Sequence, residues 1–198
     1  MKKRQIVLSL KEVADIKFCI VSSSKEGIKT QNLKWITASN LLADNIVNGV
    51  TESGKYLKDD SLLIHNGDII IKRIQPSFVN YIDTDMPDTY AYNNLILVRT
   101  KGIDAKYLAA VLNCKIKEIS LNSSVGAVMT SIGRNDLDHF EIPVLPVKEQ
   151  KRIGQIWYKS IEKKKMAICL AKLVNVKENY LINNYIKNQI GGKKNDNF

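Results

Sequence analysis

The stretch Lys72-Arg73-Ile74-Gln75 follows an apolar run and is closed by Pro76, so it offers a guanidinium and a carboxamide two residues apart. These are groups that read base edges in the major groove, Arg pairing bidentately with guanine and Gln with adenine. The polar run from Ser22 to Gln31 carries related chemistry, with Ser24, Lys25, Lys29 and Gln31 as its hydroxyl, ammonium and amide groups. A third source is the segment GAVMTSIGRND, which supplies Thr130, Ser131 and Arg134. For each of these the plain alternative is a solvated surface turn. The triplet Lys163-Lys164-Lys165 suits a phosphate backbone or an acidic partner better than base reading, because a lysine is a point charge without a planar fork. Solvation alone is the competing account of that triplet.

Chemistry of a catalytic kind is harder to find. A base methyltransferase needs a glycine-rich cofactor loop and a Pro-Pro-aromatic stretch, and DMPDTY (residues 85–90) lacks the second proline. No G-x-x-x-x-G-K-[ST] phosphate loop is present. A metal-dependent nuclease can be forced from Pro87-Asp88 and Glu149-Gln150-Lys151, but that E-x-K falls at the start of a helical pattern instead of on a strand. His65 and His139 stand apart, with no partner at ligand spacing. The expectation is a chain with no catalytic residues, no metal site and no cofactor.

Charge points the same way. The formal net charge is +10, and from Lys148 onward 12 basic residues face 4 acidic ones, so +8 of the excess lies in the last quarter. Such asymmetry suggests a polyanionic partner, a solvated lysine-rich helix being the alternative. Hydrophobic content of 44% excludes global disorder. Three scattered cysteines, Cys19, Cys114 and Cys169, give no disulfide framework and fit a reducing compartment. The opening MKKRQIVLSLKEVADI is broken by Lys11, Glu12 and Asp15 and so has no signal-peptide core. No apolar run reaches the ~18 residues of a membrane span. A cytoplasmic protein with no membrane partner is expected.

The elements that must position the candidate residues divide at Pro146. Before it, QIVLSL and DIKFCIV read as short strands or strand–helix pieces, LKWITASNLL resumes the core, and NIVNG ends in a turn. Asn66-Gly67 marks a turn between apolar runs, because glycine takes positive φ at no steric cost. NNLILVRT reads as a strand. Over residues 104–121, Tyr107, Leu108, Val111, Leu112, Ile116 and Ile119 recur at helical spacing, with Asp104 as the N-cap. After Pro146, residues 148–187 hold one glycine (Gly154) and no proline, and Gly191-Gly192 supplies a stop. Forty helical residues reach ~60 Å at ~1.5 Å each, more than a domain of this size can cover. With Ile153 as heptad position a, Ser160, Ala167, Val174 and Leu181 follow at a, and Ile156, Lys163, Leu170, Lys177 and Asn184 fall at d. The seam is interrupted at the EKKK of residues 162–165, which favours antiparallel or heterogeneous packing over a parallel zipper.

Taken in order, SLKEVADIKF, LKWITASNLL, LLIHNGDIIIKR, KYLAAVLNC, SIGRNDLDHFEIPVLPVKEQKRI and the long helix resemble the specificity subunit of type I restriction-modification systems over nearly the whole chain. The pattern Ile-Pro-x-x-Pro-x-x-x-Gln-x-x-Ile in the last block is the most distinctive part. Family members carry two target-recognition domains, each followed by a long helix, the helices packing antiparallel; one of each is present here, so the chain resembles half a subunit. The glycine often found soon after the Gly-Asp strand is replaced by Gln75-Pro76.

The resemblance implies an α+β architecture, a mixed α/β target-recognition domain followed by a long coiled-coil helix. It also implies a non-catalytic reader of double-stranded DNA that works with methyltransferase (modification) subunits and, in a complete system, a restriction/translocase subunit. The domain expectation is 1–147 for DNA recognition, 148–190 for a dimerisation and spacer helix, and 191–198 for a basic flexible tail. DNA contacts are assigned to Ser24, Lys25, Lys29, Gln31, Lys72, Arg73, Gln75 and Arg134. Pairing with a second copy is assigned to Ile153, Ile156, Trp157, Leu170, Val174 and Leu181, giving a homodimer that reads a bipartite palindromic site. Two rivals are a coiled-coil adaptor that binds protein and not DNA, and a stand-alone DNA-modifying enzyme.

Overall fold

The computed structural model describes residues 6–21, 31–43, 45–47, 49–56, 58–122 and 130–192. Strands β1 (Ile6–Ser9), β2 (Ala14–Phe18), β3 (Gln31–Ile36), β4 (Leu41–Leu42), β5 (Ile46–Val47) and β6 (Thr51–Tyr56) occupy the first third. Strands β7 (Ile69–Lys72), β8 (Val79–Tyr81), β9 (Thr89–Ala91), β10 (Leu95–Thr100) and β11 (Glu141–Val144) follow. The helices are α1 (Leu10–Val13), α2 (Ala105–Asn122), α3 (Arg134–Asp138) and α4 (Val147–Gly192). The chain divides into two units, Met1–Lys159 and Ser160–Phe198.

Within the first unit, the central sheet has the order β2-β10-β7-β8, every neighbour antiparallel. Its inner strands read Ile69-Ile70-Ile71 and Leu95-Ile96-Leu97-Val98, continuous apolar runs without polar alternation. The reason is that both faces are covered. Side chains alternate across a strand, so Ile69, Ile71, Ile96 and Val98 enter one core cluster while Ile70, Leu95 and Leu97 enter another. The first cluster is closed by α2 through Tyr107, Leu108, Leu112, Ile116 and Ile119, the residues whose spacing predicted the helix. Asp104 caps it as expected, accepting a 2.9 Å hydrogen bond from the Tyr107 backbone N–H.

The second cluster is closed by a three-stranded sheet, order β6-β3-β9, in which β3 and β9 run parallel. Trp35 and Tyr90 are its largest buried side chains, with ring centroids 5.8 Å apart. Asn66-Gly67 does turn, with Gly67 at φ +93°. It does not close a hairpin: upstream, Leu63 bridges to Tyr90, while β7 begins downstream. The architecture is α+β with a long C-terminal helix, the class that the sequence predicts. At 46 residues, α4 is ~70 Å long.

Candidate nucleic-acid interface

The end of β7 is held from two sides. The Arg73 N–H donates to the Asn94 carbonyl (2.9 Å), and the Arg73 carbonyl accepts from the Ile132 N–H (2.9 Å). Ile74 forms an antiparallel bridge with Ser131, and the Gln75 N–H donates to the Thr130 carbonyl (2.8 Å). The stretches 72–75 and 130–134, separate candidates in the sequence, are thus adjacent. Gln75 sits at φ +48°, in the left-handed region that favours glycine. The glycine-to-Gln75 departure therefore has a backbone consequence: a side chain is displayed from a conformation that costs it energy.

Arg73 and Arg134 meet at a residue that sequence reasoning missed. The Phe18 ring, at the end of β2, lies 5.8 Å from the Arg73 guanidinium and 5.5 Å from that of Arg134. Arg134 is further held by the Ile16 carbonyl (3.1 Å) and lies 3.9 Å from the Asp138 carboxylate. Lys72 has its ammonium 5.2 Å from the Phe78 ring. Nothing in the local pattern of DIKFCIV marks Phe18, because its partners lie 55 and 116 positions away in sequence.

Among the other assigned contacts, Ser24, Lys25 and Lys29 lie outside the described residues. Gln31 opens β3, its backbone paired with Tyr56, and its side chain is likewise outside what is described. The chain enters that region at Val21, whose N–H is held by Asn93 Oδ1 (2.6 Å).

The Gly-Asp turn preceding β7 has a different task. Asp68 is buried and accepts from Arg99 Nε and Nη2, both at 2.8 Å, and from the His65 backbone N–H at 2.7 Å. The same guanidinium donates to the Leu63 carbonyl (3.1 Å) and to His65 Nδ1 (2.6 Å). Asp68 holds the Arg99 pKa above its usual value, so the pair is a fixed clamp on the turn. The Cys19 thiol, buried beneath the sheet, is pushed up to about 12 by desolvation and is inert as a nucleophile.

The IPVLPVKEQKRI block docks the start of α4. Tyr107 Oη donates to the Pro143 carbonyl (2.6 Å), and the Pro146 carbonyl accepts from the Glu149 and Gln150 N–H groups (2.8 and 3.0 Å). Gln150 is buried; its Oε1 accepts from the Asp104 N–H (2.9 Å) and its Nε2 donates to the Leu145 carbonyl (2.7 Å). Tyr158 donates to Asp83 (2.8 Å) and lies under the Lys106 ammonium at 3.8 Å. Ile153 and Trp157, assigned to self-association, pack against the first core cluster. Ile156, Leu170, Val174 and Leu181 are exposed, at 63%, 62%, 45% and 54%.

A family model described as "Type I restriction modification DNA specificity domain" matches residues 3–167. The fold is similar to the HsdS subunit from Thermoanaerobacter tengcongensis, at TM-score 0.56 and 19% identity over 86% of this chain and 40% of that one. It is similar to a chain from a structure described as the basis of complex assembly and conformational transition of the type I R-M system (TM-score 0.61, 18% identity, 90% of this chain and 43% of that). A third match is the type I restriction-modification S subunit from M. genitalium (TM-score 0.52, 13% identity, 88% and 44%). At these identities the likeness is one of fold. The chain spans less than half the length of each of these three structures.

Proposed function

The chain belongs to the type I restriction modification DNA specificity family, and on that premise we propose that it reads duplex DNA as a homodimer within a methyltransferase complex. It does so without catalysis of its own, the modification subunits supplying methyl transfer and a restriction/translocase subunit, where present, supplying cleavage. The globular unit carries the readout, with Arg73 and Gln75 directed at bases and lysines of the helix at phosphates. Two copies pair through α4 and place two readers on inverted half-sites, the helix setting the gap.

The observation that carries this reading is the juxtaposition of Arg73, Gln75 and Arg134 beyond the end of β7, together with the exposed apolar positions of α4. Leu170, Val174 and Leu181 recur at heptad spacing and stay largely open to solvent, a surface that a second helix would cover. A two-fold pairing makes the same patch serve both copies.

The test is light scattering of the purified chain and of Val174→Asp, with duplex binding measured between ~50 and ~200 mM salt. Dimer mass for the parent, monomer mass for the variant, and a steep loss of affinity with salt are expected. A monomer at tens of micromolar, or an absence of salt-sensitive duplex binding, contradicts the proposal.

A further inference from the structure

We propose that Phe18 is a positioning residue for Arg73, and that Arg134 is the strut that holds Phe18 in place; the assignment rests on the DNA-reading function above. The sheet register sets the geometry. Phe18 and Ile71 both pair with Ile96 of β10, one from each side, so the three side chains share a face. That face is the first core cluster, and Phe18 packs against it while remaining partly exposed. Arg73 follows Ile71 by two residues, which returns its side chain toward the same side, where its guanidinium lies 5.8 Å from the ring centroid.

The two arginines on that ring are not equivalent. Arg134 is committed within the chain, to the Ile16 carbonyl at 3.1 Å and the Asp138 carboxylate at 3.9 Å. Arg73 has no carboxylate within bridging distance among the described residues, and its guanidinium rests on Phe18 alone. The Arg73 guanidinium carbon lies 5.8 Å from the ring centroid, within reach of a cation–π attraction, and an aromatic ring offers no carbonyl or carboxylate to occupy the N–H edge. The edge is the part that pairs bidentately with guanine O6 and N7. That attraction also restricts the rotamers of a long side chain before binding, and preorganised donors lose less on docking than free ones. The Arg134 guanidinium, 5.5 Å from the ring centroid and fixed by the Ile16 carbonyl and the Asp138 carboxylate, holds the aromatic plane.

The experiment combines two measurements on the full chain. The first is the NMR resonance of the Arg73 Nε–H, assigned by its loss in Arg73→Lys. The second is base preference in duplexes selected from a randomised pool. In the parent, ring current should move the Arg73 signal upfield, and Phe18→Leu should abolish that displacement. Phe18→Leu should lower preference at one base position by about 2–5-fold, the size of an exposed cation–π contact, with the salt dependence of binding unchanged. Phe18→Tyr should keep both the displacement and the preference.

An unshifted Arg73 signal in the parent overturns the proposal without any variant having to fold. Equal losses in Phe18→Leu and Phe18→Tyr, or a loss spread over all sequences, overturn it too. A parent that selects no sequence removes the DNA-reading assignment and this inference with it. A parent that discriminates bases while its Arg73 signal is undisplaced removes only the positioning role.

Discussion

Arg73 and Gln75 display their side chains from backbone pinned to Asn94, Thr130 and Ile132. Rigid presentation of that kind is what direct readout needs, and Arg73→Ala is expected to cost ~1–3 kcal/mol of specific binding and to relax preference at one base position. Equal weakening on every sequence would make Arg73 a phosphate contact instead. Gln75 gives the complementary test. Its φ of +48° carries strain of ~1 kcal/mol for a residue with a Cβ, so Gln75→Gly should raise the thermal midpoint while lowering base discrimination. A variant that discriminates as before would show that the side chain reads nothing. Arg73, Gln75 and Arg134 were legible in the sequence as candidates by side-chain chemistry. Phe18 was not, because its link to Arg73 runs through β10, and a pairing across 55 positions leaves no local pattern.

Long periodic elements were legible for a physical reason: α2 buries one face and α4 contains no proline, so both announce themselves by spacing. The three-residue strands β8 and β9 are too short to show a period, and the parallel pairing of β9 with β3 joins residues more than 50 positions apart. The most distinctive sequence block proved to be a docking device. Gln150 joins the start of α2 to the loop before α4, and Gly154 allows a close approach between these helices. A Cβ at 154 would fall 2.7 Å from the Tyr107 backbone nitrogen and 2.9 Å from Asp104 Oδ1. In an ordinary helix, glycine to alanine gains ~1 kcal/mol. Here the clash decides the sign, and Gly154→Ala should destabilise the globular unit by ~1–3 kcal/mol in denaturant unfolding. An increase in stability would show that the approach is loose.

At the scale of the whole molecule, the chain holds a globular unit and a helical unit, and it spans 40–44% of the length of the three solved structures compared above. On the proposed reading, the basic excess gathered after Lys148 supplies attraction to phosphates without sequence information, which leaves selectivity to the globular unit. One reader covers a short half-site, and two identical readers related by a two-fold axis must see the same half-site inverted. The most direct measurement is the sequence bound by the purified chain in a selection from randomised duplex DNA. An inverted repeat of two identical short half-sites separated by a gap of fixed length is expected. A single uninterrupted motif, or two dissimilar half-sites selected by this chain alone, would contradict it.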